Sequence, residues 1–495
     1  RSAALEASLR FAREAAVAVG RGAPPAAGTP SPALDAALAR ARRALAPSLA
    51  GDPLVARTAR LLLRASRTGA QGGLAATHAL HLLCNKLGFT LHEEHDLFSA
   101  LARADQPGAA IDQPGAVAPP SREPRMSEWS AIHVYYRDLD RLIVECVQPA
   151  LERETGGLER RFWERHYAGG PHLRIRLRGE PGPLQEADAA IARAAEEWVA
   201  AHPSPALATY SPTHAETLMR KEGETPDPAD LRYRNNVVEH HPYRPARELF
   251  ASDHALALAE DFRHDSVALA ARVLAGPRPK NEEVLRIFFM HALVVCRGDM
   301  PAGSVSCRSH WEGFAASFPA VEALDRIRAT YERSREPIRQ SLRQVAEVFR
   351  TGSEQDPVLH RWRELVEQYE ARTRRHIAAG EPITEQPTHP DEVREMREKI
   401  YTHFHTESGF VNTFWGDERF VASMQFEPGW LAPRVLTNLL YQFVAATGIS
   451  PMERMALCHF AYRAAEEEYD ADCAEILRAN IARTLAANAH RWATA

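Results

Sequence analysis

Polar and apolar residues alternate through His172-Leu173-Arg174-Ile175-Arg176-Leu177-Arg178. This period of two predicts a half-buried strand, with His172, Arg174 and Arg176 sharing one face. A Gly169-Gly170-Pro171 turn leads into it. Upstream, residues 129–136 alternate in the same way, with Ile132, Val134 and Tyr136 on one side and His133 and Tyr135 on the other. Between the two runs, residues 139–151 carry apolar positions at helical spacing. Residues 184–201, rich in Ala and Glu, predict a strong helix. Prolines 203, 205, 212, 226, 228 and 242 make 203–244 irregular. Helices then dominate, at about 246–274, 281–297, 318–350 and 356–379. The aromatic run 410–426 predicts a further strand. The fold class expected is α+β, an antiparallel sheet flanked by many helices.

Ahead of this unit the pattern changes. Residues 1–104 read as helical, with apolar periodicity at 34–45 and 55–65 and breaks at prolines 30, 32, 47 and 53. DQPGA occurs at 105–109 and again at 112–116, and Pro119-Pro120 follows. Residues 105–125 therefore read as a Pro/Gly linker, and 126–495 as a separate unit. A short similarity joins 80–94 to 439–454. Each has an apolar helix, a glycine stop (Gly88, Gly448), a cap (Thr90, Ser450) and a new helix opening with Glu. Either this common arrangement recurs by chance, or 1–104 is the truncated tail of a related domain.

Composition narrows the function classes. The chain has 495 residues, 45% of them hydrophobic, enough for one large core or several smaller ones. A net charge of −5 gives no basic field to attract nucleic acid or a membrane surface. No apolar run reaches the roughly 18 residues a bilayer span needs, and no export signal is visible. The six cysteines are scattered with no Cys-x-x-Cys pair. These features suit a reducing, cytoplasmic setting.

Two stretches concentrate reactive groups. The first is 162–178, where Arg165 and His166 precede the turn and the His172, Arg174 and Arg176 face follows it. Two guanidiniums and an imidazole on a strand suit carboxylates or peptide carbonyls, although an ordinary solvated face has the same pattern. The second is 303–313, after an apolar helix and a turn at 297–301. There Ser306, Arg308, Ser309, His310 and Glu312 lie close together in what reads as a loop. A hydroxyl, an imidazole and a carboxylate can relay protons. Ser309 with Glu312 also fits a helix-capping box. Glu239, His240, His241 and Tyr243, and separately His403 and His405, are possible metal groups. No His-Glu-x-x-His occurs and no spacing fixes a third ligand, so no metal is expected. Phosphate loops and dinucleotide fingerprints are also missing, and no cofactor is expected.

Residues 129–151 (WSAIHVYYRDLDRLIVECVQPAL), 165–177 (RHYAGGPHLRIRL) and 303–314 (GSVSCRSHWEGF) together resemble the thiopeptide-type bacteriocin biosynthesis domain, found at the C-terminus of lantibiotic dehydratases. The resemblance covers about 129–495. It implies an elimination-domain-like fold and a ribosomally made precursor peptide, leader and core, as partner. Other maturation enzymes are further possible partners. Two activities go with such domains. One eliminates glutamate from glutamylated Ser or Thr. The other, pyridine synthesis, joins two dehydroalanines in a formal [4+2] cycloaddition and expels water and the leader peptide.

Ser-x-Arg-Ser-His at 306–310 and the Arg-His-Tyr form at 165–167 resemble the pyridine-synthase branch. PYRPARELF, following His241, lacks the Tyr-Gly-Gly that eliminases more often carry. On this reading Arg165, His166, Ser306, Arg308, Ser309 and His310 are the expected catalytic groups. Tyr135, His172, Arg174, Arg176, Tyr243 and Glu312 are expected to hold the peptide. The two stretches are expected to line one cleft. A [4+2] route needs proton transfer and positioning, not redox chemistry. Glutamate elimination and a catalytically silent leader-binding module are the alternatives.

Overall fold

The computed structural model describes residues 128–489, except 155, 222–229, 246, 248–249, 318–320, 385–407 and 425–426. The chain divides into two compact units, Arg1–Ser121 and Arg122–Ala495. The expected helices at 34–45 and 55–65, the 105–125 linker, the 80–94 half of the repeat, His403 and His405 lie outside the described residues.

The second unit is α+β. Four strands, β1 (Glu128–Tyr135), β2 (Leu158–His166), β3 (His172–Gly179) and β4 (Val237–His241), form one antiparallel sheet in the order β2-β3-β1-β4. The alternation along β1 and β3 gives the sheet two unlike faces. On one, Ile132, Val134, Leu173, Ile175, Leu177 and Trp163 are buried. They join a core with α1 (Leu139–Leu142), a single π-helical turn (Ile143–Val147), α2 (Gln148–Arg153) and α3 (Pro181–Ala201). Helix α3 starts with prolines in its first turn and buries Leu184, Ala187, Ile191, Ala195 and Val199 along one stripe.

β2 and β4 fall where the sequence predicts no strand. In β2, Phe162 and Trp163 are buried on opposite faces and Arg165 occupies a core-side position, which hides the period of two. β4 has only five residues and sits in the stretch read as irregular.

Helices α4 (Pro212–Lys221), α5 (Asp253–Ala275), α6 (Lys280–Val295), α7 (Met300–Ser317), α8 (Val321–Thr351) and α9 (Pro357–Ala378) follow. Helix α5 begins later than the expected 246 because Ser252 caps it, its hydroxyl accepting from the Ala255 N–H at 3.1 Å. Helix α6 is buried on all sides from Glu283 to Val294 and forms the centre of the helical layer. Its two buried charges are satisfied internally. Arg286 donates to Glu283 at 3.0 Å and to Asp356, the cap of α9, at 2.6 Å.

The run 410–426, expected as a strand, instead forms two short helices, α10 (Gly409–Trp415) and α11 (Glu418–Met424). The remaining described helices are α12 (Pro428–Ala446), α13 (Pro451–Glu468) and α14 (Cys473–Ala487). Gly448 turns the chain at φ +75° after α12. Ser450 and Glu453 then form a full capping box on α13, as their spacing implies. Among the described residues no helix is long and apolar enough to cross a membrane.

Candidate active site

The second face of the sheet is polar, and the strand register arranges it as a grid. One row across β2, β3, β1 and β4 reads Glu164, Arg174, His133, Glu239. The row nearer the Gly-Gly-Pro turn reads His166, His172, Tyr135, Val237. The row on the other side reads Phe162, Arg176, Ala131, His241. The face is enclosed rather than solvated, since His172 and Tyr135 are each 1% exposed and Arg176 4%. The ordinary reading of the alternation, polar side chains facing water, is therefore overturned.

Hydrogen bonds assign the imidazole tautomers. His172 Nδ1 lies 3.0 Å from the Gly170 carbonyl, so it carries the proton, and Nε2 accepts from Arg174 Nε at 3.3 Å. His166 Nδ1 accepts from the Ala168 N–H at 3.2 Å and faces an Arg174 guanidinium nitrogen at 3.0 Å, which puts its proton on Nε2. His133 Nε2 faces Arg176 at 3.3 Å, and a guanidinium can only donate. The proton of His133 is therefore on Nδ1, which is buried and has no partner among the described residues. His133 also stacks on His241, with ring centroids 4.1 Å apart, and on His172 at 5.1 Å.

Burial and the neighbouring cations hold His133 and His172 uncharged. For His133, desolvation is the largest cause, followed by His172, Arg176 and Arg174. His172 is driven well below the usual histidine range by burial, then by His166 and Arg174. Burial pushes the Tyr135 phenol up to about 12 against the opposing Arg234 charge, whose guanidinium sits 5.2 Å from its ring.

The edges of the grid are tied down. Arg176 lies over the Tyr243 ring at 5.3 Å and pairs with Glu164 at 3.6 Å. Tyr243 stacks on Trp129 and donates to Glu260 of α5. Arg234 Nε donates to Glu239 at 3.0 Å, and Glu239 also meets His241 at 3.1 Å. The turn itself needs its glycines. Gly169 (φ +77°) and Gly170 (φ +112°) lie so close to the next segment that a Cβ would stand 2.6 Å from the Asp230 carbonyl or 2.7 Å from that of Arg234. The Arg234 N–H donates to the Gly169 carbonyl at 2.6 Å, and the Gly169 N–H donates to the Tyr210 phenol oxygen at 2.7 Å.

Arg165 sits on the opposite face from His166. It donates to Asp140 and, at 2.6 Å, to the Ala446 carbonyl, linking the sheet to α1 and the end of α12. His240 and His241, adjacent in sequence, part in the same way. His240 meets Asp188 of α3 at 2.8 Å, on the core side.

The 303–313 stretch is not a loop. It lies within α7, and Ser309 is mid-helix rather than a cap. Gly303 lets α7 press against α6, where a Cβ would meet the Ala292 carbonyl at 2.4 Å. Arg308 donates to Glu466 and to Asp472, the cap of α14, each at 2.6 Å, and covers the Phe410 ring. The Glu312 carboxylate, 3.8 Å from Arg308, accepts from the Ser408 hydroxyl at 3.1 Å. His310 Nδ1 donates to the Ser306 carbonyl at 2.7 Å, its ring edge-on to Tyr441, while Ser306 Oγ lies 3.4 Å away. Thus His166, His172, Arg174, Arg176, Tyr135 and Tyr243 come together on the sheet. Ser306, Arg308, His310 and Glu312 gather on α7 and engage other partners, in α10, α12, α13 and α14.

His133 and Arg234 complete the polar face and were not among the expected site residues, while Glu239 was singled out only as a possible metal group. The alternation of β1, which sets His133 and Tyr135 side by side, is the signal for His133 in the sequence.

A grid of histidines and arginines on one face of a small antiparallel sheet, backed by helices, characterises this α+β domain. The chain belongs to the lantibiotic biosynthesis dehydratase C-terminal family, which matches residues 129–465. Its fold is similar to that of the pyridine synthase TbtD from thiomuracin biosynthesis, with a TM-score of 0.55 and 22% identity, over 69% of this chain and 99% of that one. Weaker likenesses link it to TsrL (TM-score 0.49, 20% identity, 71% of this chain and 98% of that one). Another is to the tRNA-dependent lantibiotic dehydratase MibB from Microbispora sp. 107891 (0.36, 14%, 72% and 29%). No curated protein matches significantly.

Proposed function

We propose that this domain is a tailoring enzyme of ribosomally made peptides that performs the pyridine-forming [4+2] cycloaddition on a dehydroalanine-bearing precursor. The observation that carries the reading is the enclosed polar face, where Arg174 and Arg176 contact three imidazoles, His133 and His172 among them held neutral. Family membership and the TbtD-like fold agree with it. Cycloaddition requires a backbone amide to become an azadiene, with a proton donor at the carbonyl oxygen and an acceptor at nitrogen. A neutral His133 with an unspent Nδ1–H can polarise that carbonyl without leaving a charge to be desolvated. Arg174 and Arg176 orient the rings and present positive charge to peptide carbonyls. Holding two distant dehydroalanines together is an entropic task, for which positioning contributes up to about 7–11 kcal/mol.

Ser306 and His310 remain in the proposal as a second acid–base pair, for the loss of water and leader, because they stand one helical turn apart on α7. Arg308 is assigned a supporting role, its guanidinium being occupied by two carboxylates. The cytoplasm and a leader-bearing peptide partner belong to the same proposal.

Glutamate elimination is the second reading, favoured by the dehydratase family match and by the same two arginines, which suit a departing carboxylate. Mass spectrometry separates the two. A dehydroalanine-containing, azole-bearing precursor should lose water and its leader. Loss of glutamate from a glutamylated peptide, with the dehydrated precursor untouched, would establish elimination instead. A chain that binds the leader and changes neither peptide would be the silent module.

A further inference from the structure

We propose a divalent metal site built by His254, His376 and Glu381, with Zn2+ the ion its donors fit. His254 opens α5, and His376 lies in the last turn of α9. The ligand atoms of the three residues lie within 4.8 Å of one another. Glu381 Oε2 stands 2.5 Å from His376 Nδ1 and 3.6 Å from His254 Nδ1.

The backbone builds this arrangement. Gly380 turns at φ +71° and its N–H donates to the Ile377 carbonyl at 3.1 Å, while the Glu381 N–H donates to that of His376 at 3.0 Å. These two bonds make a Schellman motif, which folds the second residue past the cap over the last helical turn. An apolar contact commonly fills that position. Here an imidazole and a carboxylate fill it. The Ser252 hydroxyl, which also caps α5, donates to the Pro382 carbonyl and draws His254 to the same place.

Two imidazole nitrogens and one carboxylate oxygen are a donor set that zinc accepts, with metal bonds of about 2.0–2.2 Å and a remaining position for water. Tetrahedral ligands at those lengths stand about 3.4 Å apart, so small rotamer changes would close the set. The ion would take the place of the His376–Glu381 contact. All three side chains are partly exposed, which gives the ion access. The site would clamp the start of α5 to the end of α9. Six residues along α5 from His254, about 9 Å by helical rise, Glu260 holds Tyr243 at the sheet. Linear spacing conceals the set because its ligands come from two distant segments.

The test uses the untagged full chain, stripped with chelator and titrated with ZnCl2 by calorimetry, alongside His254→Ala, Glu381→Gln and the control His360→Ala, whose imidazole meets Glu364 instead. The parent and the control should bind one tight equivalent. In the other two variants that equivalent should weaken by at least about tenfold. Zinc should raise the melting temperature of the parent but not of H254A or E381Q. An unchanged tight equivalent in both variants, or none in the parent, overturns the site.

Discussion

The rings of His133 and His241 stack at 4.1 Å with their planes 14° apart, across adjacent strands of the sheet. Arg176 meets His133 at Nε2 from the other neighbouring strand. His133 is thereby fixed in position, tautomer and charge by residues that are themselves anchored. Such preorganisation lets a hydrogen-bond donor act at a reaction centre without reorganising.

His133→Ala should therefore lower turnover by about 10²–10³, the usual effect of losing one preorganised donor. Peptide affinity should change much less. A rate within a few-fold of the parent, measured on the dehydrated precursor, would remove His133 from the chemistry.

Arg308→Ala should act mainly on stability. Its guanidinium joins α7 to α13 and to the cap of α14, and its loss leaves Glu466 and Asp472 without their shared cation. The expected cost is about 2–3 kcal/mol, below the full value for a wholly buried pair because the site is partly exposed. Urea unfolding measures it. An unaltered midpoint together with abolished turnover would return Arg308 to the catalytic set.

Ser306→Ala tests the α7 pair. The variant should bind the linear precursor as the parent does but release leader and water at least about a hundredfold more slowly, the low end for lost acid–base assistance. Unslowed leader release would leave α7 purely structural.

Much of this architecture is visible in the sequence where one face is wholly apolar. Ile132 and Val134 identify β1, Leu173, Ile175 and Leu177 identify β3, and Gly448 with Ser450 marks the join of α12 and α13. Tertiary demands obscure the rest. Gly303 reads as part of a loop, yet it serves close packing of α7 on α6. Phe410, Phe414 and Phe420 suggest a strand but pack as helical positions around Trp430 and α14. Within the site, alternation along β3 sets Arg174 beside His172, but only the pairing of β3 with β1 brings in His133. That register depends on contacts distant in sequence, which no local pattern records.

Stability should fall below about pH 6.5. Burial holds His291 near 3, and burial with Arg463 and Arg328 holds His459 near 3, while His133 and His172 are also lowered. Each ring is neutral when folded but takes a proton when unfolded once pH falls below its ordinary value near 6.5. The unfolded state then binds more protons, and each such group costs about 1.4 kcal/mol per pH unit down to its folded value. Unfolding free energies at pH 7, 6 and 5 should decline with increasing slope. A flat profile would show that these rings are not held neutral.

Arg174 offers the sharpest test of the site. Its guanidinium meets His172 and His166 together, and its charge helps lower His172 after the larger effects of burial and His166. In Arg174→Met both lone pairs lose that donor and the local positive charge disappears. Burial remains, so His172 should rise only part of the way toward the ordinary histidine value. If the neutral rings are the active form, the acid limb of the pH–rate profile must move to higher pH. Turnover at pH 5.5 should then suffer more than turnover at pH 7.5. A uniform loss at every pH, with an unmoved acid limb, would mean that Arg174 only grips the peptide and that the imidazoles it touches do not take part in the reaction.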